Sequence, residues 1–317
     1  MSNPPTKSSV TTSADRSRRN FLLGAGAASL GVASNSVGFA HSPVEAPKPL
    51  PKRYWKAVKY GMVGGDLSVL QKFLLVKKLG FDGIELDSPN NLDKQEVLDA
   101  RDQSGLPIHG VVDSLHWSKP FSHPDATVRK AAVQGLKTAI QDCKDYGGST
   151  VLIVPAVVNK EVSYGKAWSR SRHEISKALP LAEELQIKLA IENVWNNFLL
   201  SPLELANYID SFNSLNIGSY LDVGNLVRYA WPEHWVEALR HRIFKIDVKG
   251  YSRKLQNEKG PWRGFDVSIG DGDCDWATVM AALENESYEG WFTAEVGGGG
   301  EERLTEIAAA MDRIMSA

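Results

Sequence analysis

The sequence predicts a (β/α)8 barrel, the α/β fold in which eight parallel strands alternate with helices. Short apolar runs of four to six residues recur between residues 57 and 294, and each is followed by a segment with the hydrophobic period of an amphipathic helix. Regular alternation of strand and helix is typical of a parallel sheet covered by helices. A chain of 317 residues has the length of one such barrel with an N-terminal extension. We therefore expect a single barrel domain over residues 54–317.

Eight runs fit the strands of this barrel, and helix start signals stand between several of them. In chain order the predicted strands are Ala57–Gly61, Gly83–Leu86, Ile108–Val112, Thr150–Val154, Lys188–Ile191, Ile217–Leu221, Ile243–Val248 and Trp291–Ala294. Asp66 and Asp275 are predicted N-caps, and Ser201-Pro202 places proline at the first position of another helix. A doubly wound dinucleotide-binding fold is the alternative, but the two glycines after the first strand lack the GxGxxG spacing of its phosphate-binding turn.

The first forty residues have the pattern of an export signal. Arg18-Arg19 is followed by Phe21-Leu22, by a weakly apolar stretch rich in glycine, alanine and serine, and by small residues up to position 40. This pattern resembles a twin-arginine signal, so we expect a periplasmic protein. An uncleaved membrane anchor is the alternative, because the apolar stretch approaches the length of a span. Residues 41–53 are predicted to be a proline-rich linker, and no stable membrane insertion is expected after processing.

Charge and cysteine content exclude two classes of site. The 36 basic residues do not exceed the 38 acidic ones, so no basic excess is available to bind a nucleic acid backbone. Cys143 and Cys274 stand far apart, which excludes a cysteine-based metal centre. Whether the two cysteines pair after export stays open.

Acidic residues stand where four consecutive predicted strands end. The four are Glu192, Asp222, Asp247 and Glu295. The catalytic residues of a (β/α)8 barrel lie at the carboxyl ends of its strands, so these side chains should converge. Converging carboxylates repel one another unless a cation holds them. Each of these acids could instead be a loop residue or an N-cap. For Glu85 and Asp87 that explanation and a functional one are equally good, but it explains the set of four poorly. The pattern predicts a divalent metal site.

The segments around these acids carry a resemblance to a known family. They are 191–196 (IENVWN), 220–225 (YLDVGN), 246–249 (IDVK), 270–276 (GDGDCDW) and 290–296 (GWFTAEV). They resemble the sugar phosphate isomerase/epimerase family, the xylose-isomerase-like TIM-barrel group, and the likeness runs over about residues 54–317. The resemblance implies that Glu192, Asp222 and Glu295 are metal ligands. It also implies that Glu192 and Glu295 serve as acid and base.

Asp247 stands where this family usually has a histidine ligand, two residues before a lysine, here Lys249. Two glutamates and two aspartates form an all-oxygen site, which favours Mn²⁺ or Mg²⁺ over Zn²⁺. Lys249 or Arg253 could offset the negative charge. Alternatively, Asp247 does not ligate and a water molecule takes its place.

Further departures from the family concern the substrate. Asn225 replaces a frequent histidine and Phe198 a frequent glutamate, whereas Arg253 keeps a position from which the family's arginine reaches sugar hydroxyls. Tryptophans in the predicted mouth loops, with Trp231 among them, either stack on a sugar or pack a lid. His109 is predicted to be a structural histidine. The predicted substrate-binding residues are His116, Trp117, Trp195, Asn225, Lys249 and Arg253.

The predicted reaction is removal of a proton next to a carbonyl. A cation stabilises the resulting charge, and two glutamates can exchange the proton, which gives a metal-dependent sugar isomerase or epimerase. Export favours an unphosphorylated sugar or keto-sugar. One alternative is elimination from a 3-keto-glycoside supplied by a partner oxidoreductase, and another is an exported, non-catalytic sugar-binding barrel. The related endonuclease barrels need a histidine-rich zinc mouth, which seven scattered histidines do not supply. The sugar, the reacting carbon, the native metal and the oligomeric state stay open.

Overall fold

Eight parallel strands close into a barrel in the order of the chain. The computed structural model describes residues 52–316. The strands are β1 (Tyr54–Lys59), β2 (Gly83–Ser88), β3 (Ile108–Asp113), β4 (Thr150–Ile153), β5 (Lys188–Glu192), β6 (Ile217–Asp222), β7 (Ile243–Val248) and β8 (Gly290–Ala294). Each strand pairs with the next, and β8 pairs with β1, so the predicted (β/α)8 barrel is confirmed. The predicted signal over residues 1–40 lies outside the described residues, and so do residues 41–51 of the linker predicted over residues 41–53.

Helices cover the outside of the barrel. They are α1 (Val69–Lys78), α2 (Lys94–Ser104), α3 (Ala126–Tyr146), α4 (Tyr164–Ser176), α5 (Leu179–Leu185), α6 (Pro202–Asp210), α7 (Val223–Val227), α8 (Pro232–Leu239), α9 (Arg253–Lys259), α10 (Trp276–Asn285) and α11 (Glu301–Met315). Ser201 and Asp275 cap α6 and α10 as predicted. Within residues 52–316, none of the helices combines the length and apolar character needed to span a bilayer.

The start of α1 differs from the prediction. Ser68, not Asp66, is the N-cap, because its side chain accepts a hydrogen bond from the Gln71 backbone. The Gln71 side chain in turn accepts from the Ser68 backbone at 2.9 Å. This reciprocal capping box satisfies two backbone donors at the helix start.

The first strand begins three residues earlier than predicted and ends at Lys59, where a short 3-10 helix takes over. Lys56 interrupts the apolar run in the sequence, yet it lies inside the strand because Asp312 neutralises its ammonium at 2.7 Å. Residues Tyr54 to Val58 pair in register with β8. The shift has a functional consequence, since it makes Lys59 the last residue of β1, at the mouth of the barrel.

The main apolar core lies between the barrel and its helices, whereas the barrel interior combines a small apolar cluster with a network of buried polar groups. Lys245 of β7 stands 2.7 Å from Nδ1 of His109 and donates to the backbone carbonyl of His109 at 2.6 Å. The Tyr220 hydroxyl donates to Glu85 at 3.1 Å and lies 2.7 Å from the Thr293 hydroxyl. Burial lowers the pKa of His109 well below its usual value. His109 is therefore a neutral group of the barrel interior, in agreement with the structural role predicted for it.

Candidate metal centre and active site

The four predicted carboxylates meet at the carboxyl ends of β5 to β8. Glu192 and Asp222 end β5 and β6, Asp247 lies opposite Asp222 near the end of β7, and Glu295 directly follows β8. One oxygen from each of the four lies within 4.8 Å of the others. Asp222 and Asp247 are fully buried, Glu192 is 6% exposed, and the Glu295 side chain is 32% exposed. The barrel thus opens to solvent at Glu295.

Two lysines lie among these carboxylates. The Lys249 ammonium stands 2.6 Å from Oδ2 of Asp222 and also pairs with Glu295. The Lys59 ammonium lies 3.0 Å from Oε1 of Glu295 and 3.1 Å from Oδ2 of Asp247. Lys249 was expected here from the sequence, but Lys59 was missed. A correctly placed end of the first strand would have revealed it, because polar residues at strand ends face the mouth.

The two glutamates of the cluster have opposite pKa shifts. Burial, followed by the neighbouring charge of Glu295, raises the pKa of Glu192 well above its ordinary value. Burial also raises the pKa of Glu295, but Lys59 and Lys249 outweigh it and leave the pKa below its ordinary value. Glu295 therefore holds its negative charge, while Glu192 retains a proton more readily. A pair of carboxyl groups with separated pKa values suits one base and one acid.

The cluster fits a divalent cation. Four carboxylates face only two lysine ammonium groups, and oxygen Oδ1 of Asp247 is buried without a hydrogen-bond partner within residues 52–316. Burial raises the pKa of Asp247 well above its usual value despite the nearby Lys59. A buried, unpaired carboxylate oxygen is costly unless a cation binds it. All four candidate ligands are oxygen donors, the set that Mn²⁺ and Mg²⁺ accept.

A cleft of about 230 Å³ opens above the carboxylates. Its lining is Trp117, Glu192, Val194, Trp195, Asn225, Lys249, Trp262 and Glu295. Four predicted substrate-binding residues are in this set, namely Trp117, Trp195, Asn225 and Lys249. Trp262 was not anticipated, because it lies between the family-like segments 246–249 and 270–276 and belongs to neither.

Asn225 connects the acidic floor of the cleft to its aromatic wall. Its side-chain amide donates to Oε1 of Glu192 at 3.4 Å and to the backbone carbonyl of Asn193 at 3.1 Å. The backbone carbonyl of Asn225 accepts a hydrogen bond of 2.8 Å from the indole of Trp195. Asn225 therefore positions Glu192 and Trp195 relative to each other.

His116 and Arg253 are not among the residues that line the cleft. His116 is 5% exposed, and burial lowers its pKa to about 3, so its ring is neutral. Its Nδ1 accepts from the backbone of Val154 at 3.3 Å. The Arg253 guanidinium donates to two backbone carbonyls of the segment after β6 and lies 5.2 Å from the Trp231 ring. The substrate contacts expected of His116 and Arg253 stay predictions.

Phe198 does not occupy a substrate position. It is 2% exposed and packs against Tyr164 and Tyr208 at ring distances of 5.1 and 5.5 Å. The aromatic side chain belongs to the core beneath the helices. Phe198 therefore adds no contact to the cleft.

Comparison with known proteins agrees with this architecture. The family described as xylose isomerase-like TIM barrel matches residues 73–316. The putative L-ribulose-5-phosphate 3-epimerase SgbU of Escherichia coli strain K12 is 26% identical over 245 residues, which cover 73% of this chain and 84% of the relative.

Two solved structures show the same fold. A D-tagatose 3-epimerase-like protein has a TM-score of 0.71 at 17% identity and covers 83% of this chain and 97% of its own. The 3-keto-D-glucoside 4-epimerase YcjR of E. coli has a TM-score of 0.64 at 14% identity and covers 84% of this chain and 100% of its own. Since the family match extends over most of the chain, the protein belongs to the xylose isomerase-like TIM barrel family.

Proposed function

We propose that the protein is a metal-dependent sugar epimerase or isomerase that removes a proton next to the carbonyl of an unphosphorylated keto-sugar. The observation that carries this proposal is the pair Glu192 and Glu295, which line one cleft and lie in one carboxylate cluster with Asp222 and Asp247. A relative named as a putative L-ribulose-5-phosphate 3-epimerase matches most of this chain, and proteins named as sugar epimerases are among those that share the fold. Both observations favour chemistry at a carbon next to a carbonyl.

In this proposal Glu295 is the base and Glu192 is the acid. The Glu295 carboxylate takes the proton from the carbon, and the electron pair of that bond moves towards the carbonyl oxygen. The carboxyl group of Glu192 then returns a proton to the same carbon from the other face, which inverts its configuration. Asn225 holds Oε1 of Glu192 in place, and Lys249, which pairs with Glu295, keeps that carboxylate ionised.

We further propose that Glu192, Asp222, Asp247 and Glu295 hold one divalent ion, with Mn²⁺ or Mg²⁺ preferred. When bound, such an ion would supply positive charge that stabilises negative charge on the substrate oxygens. This ion, together with Lys59 and Lys249, would then balance the negative charge of the cluster. This arrangement explains why the site tolerates four acids with so little exposure.

The cleft favours a substrate without a phosphate group. Among its lining residues in the described part of the chain, Lys249 is the one cationic side chain, and Asp222 and Glu295 already engage it. A phosphate placed there would face carboxylates, which repel it. The expected export of the protein supports the same choice, and export itself is part of this proposal.

Proton exchange with solvent tests the proposal directly. Purified protein with Mn²⁺ is incubated in D₂O with a panel of ketoses and 3-keto-glycosides, and deuterium is measured at the carbon next to the carbonyl. We expect exchange and epimer formation by the native protein, no exchange by Glu295→Gln, no epimer from Glu192→Gln, and unchanged exchange by the exposed control Glu302→Gln. Formation of an epimer identifies the epimerase, whereas release of a free aglycone identifies elimination. If the folded native protein exchanges no proton across the panel, the sugar-binding alternative replaces this proposal.

A further inference from the structure

Exposed tryptophans are concentrated at the mouth of the barrel. Within residues 52–316, three tryptophans expose more than half of their surface to solvent: Trp117 (52%), Trp231 (56%) and Trp262 (72%). They lie in the loops after β3, β6 and β7, on the side where the strands end at the carboxylates. Large exposed apolar side chains that cluster around a cleft indicate a binding surface.

Two of these indoles form a rim together with Trp195. Trp117 and Trp262 line the same cleft as Glu192 and Glu295. Trp262 packs on Trp195 at a ring distance of 4.7 Å, and Trp195 is anchored by its hydrogen bond to Asn225. We call Trp117, Trp195 and Trp262 the aromatic rim. Because Trp195 is fixed to the residue that positions Glu192, this part of the rim has a defined place relative to the acid.

Further side chains pack on Trp195. Phe265 packs on Trp195 at 5.0 Å, and the Arg228 guanidinium lies 4.6 Å from the Trp195 ring. Trp262 and Phe265 belong to one short 3-10 helix, Pro261–Phe265. A rigid aromatic surface loses little conformational entropy when a ligand stacks on it.

The size of the cleft limits what lies beside the carboxylates. Its volume of about 230 Å³ is below the roughly 300–1,000 Å³ of pockets that enclose drug-sized ligands. The cleft has room for about one sugar ring next to Glu192 and Glu295, and a further ring of the substrate would extend past it along the exposed parts of Trp117 and Trp262. Flat rings and the apolar faces of pyranoses both stack on indoles.

We infer that the aromatic rim is a subsite for a second ring, so that the substrate is a ring-bearing glycoside and not a free monosaccharide. This inference rests on the proposed function, because it places the reacting sugar beside Glu192 and Glu295. The apolar ring lies across Trp117 and Trp262, outside the carboxylate cluster. The substituent on the sugar, in addition to the sugar itself, is then recognised.

Calorimetric binding to matched pairs of glycosides tests the subsite. The Mn²⁺-loaded protein is titrated with the methyl and the phenyl glycoside of glucose, galactose, mannose and xylose. Stacking on the rim should make the phenyl member of at least one pair bind about tenfold more tightly than the methyl member. Trp117→Ala and Trp262→Ala should remove that difference, Trp262→Phe should retain most of it, and Trp231→Ala should retain all of it.

Equal affinity within every pair, absence of binding to any phenyl glycoside, or an equal loss in Trp231→Ala and Trp262→Ala would overturn the inference. These outcomes are independent of turnover. Absence of a phenyl preference in the native protein, together with intact deuterium exchange, would reject the subsite alone. A phenyl preference without any exchange would retain the subsite and reject the proposed catalysis.

Discussion

Lys59 provides a quantitative test of how the carboxylate cluster is stabilised, and the informative change is Lys59→Met. The ammonium lies 3.1 Å from Asp247 and 3.0 Å from Glu295, and the Lys59 side chain is only 15% exposed. Removing one partner of a buried ion pair leaves an uncompensated charge and costs about 3–5 kcal/mol. For a domain of this size that loss corresponds to a fall in Tm of roughly 6–20 °C.

A divalent cation should change this result. When the cation is bound, it replaces part of the missing positive charge, so the variant should lose less stability than it does in chelator. By linkage, Lys59→Met should then bind the cation more tightly, by about tenfold for each 1.4 kcal/mol recovered. Thermal unfolding of both proteins, followed by circular dichroism in EDTA and in saturating Mn²⁺, measures the difference.

The matched control is Lys78→Met. Lys78 pairs with Glu301 at 2.6 Å, but the two side chains are 64% and 55% exposed. Solvent screening reduces such a surface pair to about 0–1 kcal/mol. If Lys59→Met in EDTA loses no more stability than Lys78→Met, the reasoning from burial is refuted. An equal loss with and without Mn²⁺ would refute the reasoning from charge and leave lost packing as the cause.

Three other predictions concern Asp247, Asp113 and the arginine pair near the N-terminus. If Asp247 is a metal ligand, Asp247→His should shift the metal preference towards Zn²⁺ or Co²⁺ in competition binding. An unchanged preference would mean that Asp247 forms an ion pair with Lys59 and does not bind the metal. Burial raises the pKa of the Asp113 carboxyl to about 7 in the folded protein. Because the folded state then holds this proton more tightly than the unfolded state, the resulting stabilisation is complete below the ordinary pKa of an aspartate and is lost as the pH rises through 7. Asp113→Asn should therefore stabilise the protein by about 2–4 kcal/mol in urea unfolding at pH 8 and by less at pH 5, and an equal gain at both pH values would contradict this. Replacing Arg18 and Arg19 by lysine should trap the precursor in the cytoplasm of a bacterial host, and normal export of the variant would disprove a twin-arginine signal.

Local pattern alone determined the barrel and the convergence of four acids. Each strand is a short apolar run, and the parallel topology places every strand's carboxyl end at the same mouth. For that reason the positions of Glu192, Asp222 and Glu295 at strand ends were sufficient to predict their proximity. The chemical nature of these side chains also predicted an oxygen-donor site before any distance was known.

The tertiary structure decided what depends on contacts between distant residues. Lys56 lies within β1 because Asp312, far along the chain, neutralises it, and this shift places Lys59 among the carboxylates. Phe198 lies in an aromatic core and not in the cleft, since its neighbours come from α4 and α6. Trp262 reaches the cleft through its packing on Trp195. Hydrophobic periodicity reports which residues are buried, but not which partner buries them, and the partners determine the charge and the walls of this site.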